Sequence, residues 1–238
     1  MDLTGRAFLA ILAEKEVTAL PFETLFPVWD KLTPAQQRTL KNAATLRKAP
    51  KGTVVHDGAA DCLGYLLVRS GQLRAYYLSE EGREITLYRL FERDACLLAA
   101  TCMMPSIQFD VTIEAEKDSE MYIIGPETYK SVMKESAAVA NYTNDIMSTR
   151  LSDVMWLMEQ VLFRSLDRRL AGFLVEESEL DGTTALKLTH EKIANHLGTA
   201  REVVTRMLRY FQEEGMVRLT RGTVELTDVP RLKALQNA

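Results

Sequence analysis

The stretch that decides the fold reads Leu188-Thr189-His190-Glu191-Lys192-Ile193-Ala194-Asn195-His196-Leu197-Gly198-Thr199-Ala200-Arg201-Glu202-Val203-Val204-Thr205-Arg206-Met207-Leu208. Thr189 is placed to cap a short helix whose buried side is Ile193, Ala194 and Leu197, and Gly198 supplies a left-handed turn position. Thr199 then opens a second helix, with Glu202 three residues on in capping-box spacing. A short helix, a glycine turn and a second capped helix make a helix-turn-helix, with small Ala194 where the two helices cross. The second helix is expected to bury Val203, Val204, Met207, Leu208 and Phe211 and to present Arg201, Glu202, Thr205, Arg206 and Arg209 on the other side. After Gly215, Met216 to Thr220, the turn Arg221-Gly222 and Thr223 to Leu226 alternate like a two-stranded hairpin, completing a winged helix. A guanidinium matches the O6/N7 pair of guanine and a carboxylate accepts from cytosine N4, so the exposed face has the chemistry of direct major-groove readout. Thr199 at the helix start and Arg221 in the wing complete the expected double-stranded DNA contacts. Glu202 alone is satisfied as a cap and Arg209 alone as a solvated charge. Arg201 and Arg206 together, backed by the wing and the turn glycine, favour base readout.

Charge averaged over the 238 residues, 29 Lys+Arg against 33 Asp+Glu, argues the other way. Split at residue 165, the later part holds 11 basic and 11 acidic residues and the earlier part 18 and 22. Between 185 and 222, seven basic residues face four acidic ones, a local balance of +3. The acidity belongs to the first part of the chain. At 47% hydrophobic and 26% charged, the composition excludes a disordered, collagenous or coiled-coil-only protein. No apolar run reaches the roughly 18–20 residues of a membrane helix, and no signal peptide is evident, so a cytoplasmic protein without a membrane partner is expected. Three cysteines, Cys62, Cys96 and Cys102, with no C-x-x-C, argue against a disulfide framework or a four-thiolate metal site.

Upstream the texture changes three times. Residues 1 to 48 look helical, with Phe8, Leu9 and Leu12, then Leu32, Leu40 and Leu46 at helix-like intervals and Thr33-Pro34 as an N-cap followed by proline. From about 49 to 125, short β-prone runs alternate with Gly52, Gly58, Gly64, Gly71 and Gly82, the pattern of an antiparallel barrel or roll. From Pro126 to about Gln160 the pattern is helical again. There Ala140, Asn144, Met147, Leu151, Val154, Met158 and Val161 follow alternating spacings of four and three. That heptad seam favours a dimerising helix over a merely buried face, with Asn144 as a register-setting polar group. The fold class is therefore α+β. Its expected parts are an N-terminal β-roll effector domain with helices (1–134), a central dimerisation helix (135–163) and a C-terminal winged helix-turn-helix domain (164–238).

The order of roll, long helix and winged helix, with His56-Asp57-Gly58, Ser79 to Glu84, Leu166 to Leu174 and Arg201-Glu202-x-x-Thr205-Arg206, resembles the Crp/Fnr family of bacterial transcription regulators over about residues 24–230. The resemblance implies a cyclic-nucleotide-binding-like roll and a homodimer on a palindromic operator, with RNA polymerase as a further partner. It also implies that Glu202 and Arg206 read a G·C pair in each half-site. Arg201 is similar to the cAMP-receptor branch and Thr205 closer to the serine of the Fnr branch. The family's cAMP branch holds the cyclic phosphate with a Gly-Glu helix start and an arginine. Here no glycine lies between Gly82 and Gly125 and no arginine between Arg93 and Arg150, which argues against cAMP. The Fnr branch uses four cysteines for an iron–sulfur cluster, and this chain has three in all, none before Cys62.

What is left for effector sensing is the apolar run around Cys96, Leu97, Leu98, Cys102, Met103 and Met104, open to a small apolar ligand, to haem or to a thiol switch of Cys96 with Cys102. Cysteine and methionine as soft core filling explain the same residues. Two rival classes are a cupin-like metalloenzyme, which would need more roll histidines than His56, and a cyclic-nucleotide-responsive regulator or adaptor with a divergent pocket. No catalytic residue and no metal ligand is assigned.

Overall fold

The computed structural model describes residues 20–58, 62–97 and 111–237. Two short helical segments lead in: α1 (Phe22–Leu25) and a 3-10 turn at Trp29–Lys31. Helix α2 (Pro34–Ala43) starts as its sequence dictates. Thr33 accepts from the Gln36 N–H while the Gln36 side chain accepts from the Thr33 N–H, and Pro34 occupies the first turn. The expected helical reading extends too far here. Leu46 lies in strand β1 (Thr45–Ala49), because residues 45–49 complete the edge of a sheet by pairing with residues 119–123. Phe8, Leu9 and Leu12 lie outside the described residues.

The glycine-punctuated region forms β2 (Val54–His56), β3 (Tyr65–Ser70), β4 (Leu73–Leu78), β5 (Glu84–Leu90), β6 (Ala95–Cys96), β7 (Thr112–Ala115) and β8 (Ser119–Ile124). They make two antiparallel four-stranded sheets, β1-β8-β3-β6 and β2-β7-β4-β5. Leu66, Val68 and Met121 of one sheet meet Leu73, Ala75, Leu90, Ile113 and Ala115 of the other in the core of the roll. Tyr65 and Leu67 face the opposite way, into a second core with Phe22, Phe26, Leu40, Tyr129 and Val139. Burial on both faces explains why β3 reads as an unbroken apolar run rather than an alternation. Gly64, with φ +85°, opens β3 where a Cβ would collide with the Ile124 carbonyl oxygen.

The helical stretch after the roll is two helices, α3 (Pro126–Glu135) and α4 (Ala137–Phe163). They part at Ser136, whose hydroxyl accepts from the Val139 N–H and caps the longer one. Along the 27 residues of α4, Val139, Thr143, Ile146, Arg150 and Gln160 are buried against the rest of the chain. The expected seam lies one position further round: Ala140, Met147 and Val154 are half-buried, and Asn144, Leu151, Met158 and Val161 are exposed. Met155 and Leu162 extend this exposed apolar surface, while Trp156 and Phe163 are exposed on another side of the helix.

The C-terminal unit builds its own core from α5 (Leu166–Asp181), α6 (His190–Leu197), α7 (Arg201–Glu213), α8 (Val229–Asn237) and a three-stranded sheet ordered β10 (Val217–Thr220), β11 (Thr223–Leu226) and β9 (Ala185–Leu186). The wing predicted from Met216 to Leu226 is present, with β9 as an added third strand. Leu170, Leu174, Ile193, Val204, Leu208 and Phe211 are fully buried in this core. Each large apolar side chain so placed contributes roughly 1.5–3 kcal/mol.

Candidate nucleic-acid interface

Helix α6 begins as the sequence predicts, the Thr189 hydroxyl accepting from the Lys192 N–H at 3.1 Å, and ends at Gly198 in the left-handed region, φ +65°. The predicted capping box of Thr199 with Glu202 does not form. The Thr199 N–H donates to the Ala194 carbonyl at 3.1 Å, so Thr199 still terminates α6, and α7 begins at Arg201 behind an uncapped Ala200. Glu202 is thereby freed from the backbone.

Val204, Leu208 and Phe211 of α7 are buried and Val203 and Met207 half-buried, as the amphipathic pattern requires. On the other side Arg201, Glu202, Arg206 and Arg209 are exposed, and none forms an ion pair among the described residues. Thr205 is half-buried. Its hydroxyl donates to the Arg201 carbonyl at 2.9 Å and lies 2.8 Å from His190 Nδ1, so with that proton committed His190 donates to Thr205. The γ-methyl of Thr205 is the part without a polar commitment. Burial, followed by Arg201 and Arg209, holds the His190 pKa below its ordinary value, so His190 is neutral at pH 7. Arg221 is exposed at the wing turn, and Thr199 is half-buried beside Gly198. Leu188, Thr189, His190, Glu191, Arg201, Thr220, Gly222 and Thr223 line a cleft of about 520 Å³ between the start of α6, the start of α7 and the wing. The structure thus gathers the predicted contact residues of α7 on one face, with the wing beside it.

A second charged constellation, which the sequence did not reveal, joins this unit to the roll. Glu116, at the end of β7, accepts from Gln72 Nε2 at 2.8 Å and from Arg89 Nε at 2.8 Å, both within the roll. Its other oxygen lies 3.2 Å from His196 Nε2 and 3.5 Å from Lys192 Nζ, both on α6. Arg89 continues to Glu177 of α5 at 2.5 Å and Glu176 at 3.6 Å. The other ring nitrogen of His196 is 2.9 Å from Thr86 Oγ1 of β5, and its ring lies 5.0 Å from that of Phe173. Glu116, His196 and Glu177 are each more than nine-tenths buried. Burial works to raise the Glu116 pKa, yet His196, Arg89 and Lys192 outweigh it and hold the carboxyl well below the usual range. Burial pushes His196 down to about 4, against the pull of Glu116, so the ring is neutral at pH 7. At the same contact a Cβ on Gly198 would sit 2.8 Å from Ile85 Cδ1.

Of the predicted effector residues, Cys96 and Leu97 are completely buried in core positions. Cys96 is a free thiol, 3.4 Å from the Tyr88 hydroxyl, so it is not bridged to another cysteine. Leu98, Cys102, Met103 and Met104 lie outside the described residues. Among the described residues no helix is long and apolar enough to cross a membrane, and no three His, Cys, Asp or Glu side chains converge in metal-binding geometry.

Comparison with known proteins agrees with this architecture. Residues 168–235 match the Crp-like helix-turn-helix domain. A solved structure from Eubacterium rectale, assigned to the Crp/Fnr family of transcriptional regulators, superposes with a TM-score of 0.89 at 58% identity, over 90% of this chain and all of that one. The cyclic AMP receptor protein of Thermus thermophilus is 26% identical over 169 residues, 71% of this chain and 77% of that protein. The transcriptional regulator SdrP of the same organism is 26% identical over 179 residues, 71% of this chain and 81% of that protein. With the roll, the long helix and the winged reading unit all in place, the chain belongs to the Crp/Fnr family of transcription regulators.

Proposed function

We propose that this regulator binds a pseudo-palindromic operator as a homodimer, under the control of an effector that is not a cyclic nucleotide. The carrying observation is that Arg201, Glu202, Arg206 and Arg209 project from the first turns of α7, exposed and without ion pairs among the described residues. Two-fold pairing places two such helices about one turn of DNA, roughly 34 Å, apart. Arg206 and Glu202 read a G·C pair, Arg201 reads a neighbouring base, and the Thr205 methyl suits a thymine methyl. Arg209, Thr199 and Arg221 contact the backbone. The unpartnered apolar stripe of α4, with Leu151 at 64% exposure, supplies the pairing surface. RNA polymerase is the further protein partner, and the cytoplasm the compartment where these partners are met.

The test is selection of a binding site from random DNA, followed by mobility-shift titration of wild type and Arg206→Ala. The variant is expected to bind at least about tenfold more weakly, one bidentate base contact being worth roughly 1–3 kcal/mol. Undiminished specific binding would remove Arg206 from the readout. The Thermus relative named for cyclic AMP favours cAMP as a second reading, and saturable cAMP binding at low micromolar concentration would establish it.

A further inference from the structure

Where β5, the C-terminal half of α4, and helices α5 and α8 meet, the chain encloses a cleft of about 800 Å³. That volume lies within the roughly 300–1,000 Å³ range of small-molecule sites. Its walls carry six cationic side chains and four carboxylates, and the pairing among them is uneven. Arg89 is matched by Glu177 and Glu176, Arg150 by Asp153 at 2.8 Å, and Lys233 by Glu179 at 2.7 Å. Asp94, the remaining carboxylate, accepts from the Phe91 N–H.

Arg164, Arg168 and Arg169 have no carboxylate partner among the described residues. Arg164 and Arg169 each donate once to a backbone carbonyl, of Gln236 and Leu197, and the Arg168 side chain makes no hydrogen bond or ion pair among the described residues. A guanidinium carries five N–H donors, so most of the donors of these three guanidiniums have no protein acceptor among the described residues. Burial without a counter-ion lowers the Arg169 pKa, the signature of a cation lacking its anion. Buried Nε of Arg150, also in the lining, has no hydrogen-bond acceptor among the described residues. Between these walls lie aromatic surfaces: Tyr88 and Phe173, both largely buried, and Trp156, which is exposed.

We propose that this cleft is a binding site for an organic anion, a carboxylate or phosphate carried on a flat, ring-containing body. The anionic head takes the paired N–H donors of Arg164, Arg168 and Arg169, which suit carboxylate and phosphate oxygens alike. The ring lies against Tyr88, Phe173 and Trp156. Such a ligand touches the roll, the long helix and the DNA-binding unit at once. The site stands on its own residues and does not depend on which operator the protein binds.

The test is a titration of the full-length protein, followed by intrinsic ligand fluorescence, with 2-naphthyl phosphate, 2-naphthoate and uncharged 2-naphthol, which share one ring body. The two anions are expected to bind at least about tenfold more tightly than the alcohol, and the tighter of the two identifies the head group. Arg168→Glu should abolish that preference and Arg168→Gln should weaken it. Neither removes an existing contact, and a carboxylate in the first turn of α5 suits the helix dipole. Arg47→Glu, an equal charge change on exposed β1, should leave the preference intact. Equal binding of all three compounds, or the same preference in Arg168→Glu as in wild type, would overturn the site.

Discussion

Two groups of charged side chains, one on helix α7 and one where the helix-turn-helix unit meets the roll, obey opposite rules. On α7, Arg201, Arg206 and Arg209 are exposed and unpaired among the described residues. At the junction, Arg89 is matched by three carboxylates and Glu116 by three cationic or imidazole groups, with the side chains of Arg89, Glu116, Glu177 and His196 buried and Glu176 and Lys192 reaching solvent. Desolvation makes the difference. An exposed arginine without a partner keeps its hydration, at little cost, and stays available to an incoming phosphate or base. A buried one is costly unless a counter-charge is supplied, by the chain itself as at Arg89 or by a bound anion. Reading and holding are thus carried by the same residue types in different dielectric surroundings.

The comparison breaks most sharply at Arg89. Arg89→Ala leaves Glu116 and Glu177 buried without their shared cation and is expected to cost about 3–5 kcal/mol in chemical denaturation. A loss below about 1 kcal/mol would mean that the junction is wet and loosely held. Next is acid. The folded pKa of His196, about 4, lies below the ordinary 6.5, so the unfolded chain binds more protons between those values. His196 therefore favours folding fully above pH 6.5, and that advantage is lost as pH falls toward 4, on the order of 3 kcal/mol in all. Glu116, held low by His196, Arg89 and Lys192, stays ionised through that window. A denaturation series from pH 7.5 to 4.5 should show a steeper decline in wild type than in His196→Gln; parallel curves would refute the assignment.

On the exposed side, Arg201→Ala should leave stability within about 0.5 kcal/mol of wild type. Its binding to the selected operator should nonetheless fall about tenfold, a loss of roughly 1.4 kcal/mol. A variant that loses stability and binding in parallel would erase the distinction between the two groups. The smallest effect is expected at Lys117, which meets Asp181 across the same junction at 3.0 Å but in the open. Lys117→Ala should cost no more than about 1 kcal/mol, and less at high salt.

Sequence made the reading unit legible because its signals are local. Thr189, Gly198 and the spacing of Val204, Leu208 and Phe211 each act within two turns of where they stand. Thr199 misled because a hydroxyl three residues before a glutamate looks the same whether or not its own N–H is already held by Ala194. Leu46 misled because the partner that makes it a strand residue, Tyr122, lies 76 positions away. The junction was invisible for the same reason. Nothing near His196 in the sequence announces Glu116, Thr86 or Arg89, and a neutral buried histidine has no pattern of its own. The seam of α4 was read from its period, but period alone could not show that a buried stripe runs one residue behind it.

Gly198 carries two obligations that differ in origin. Its backbone, at φ +65°, suits glycine or asparagine. The space over its α-carbon is crowded by Ile85, 113 positions upstream, so any residue with a Cβ, asparagine included, must push that side chain aside. Modularity is therefore limited. Transplanting this DNA-reading unit onto another member's roll would transfer the turn intact, yet the graft would pack as closely only if the new roll offered a side chain of similar shape at the position of Ile85. Exchange of reading units between such regulators, whether by an engineer or by recombination, is constrained by a hydrophobic contact that touches no DNA.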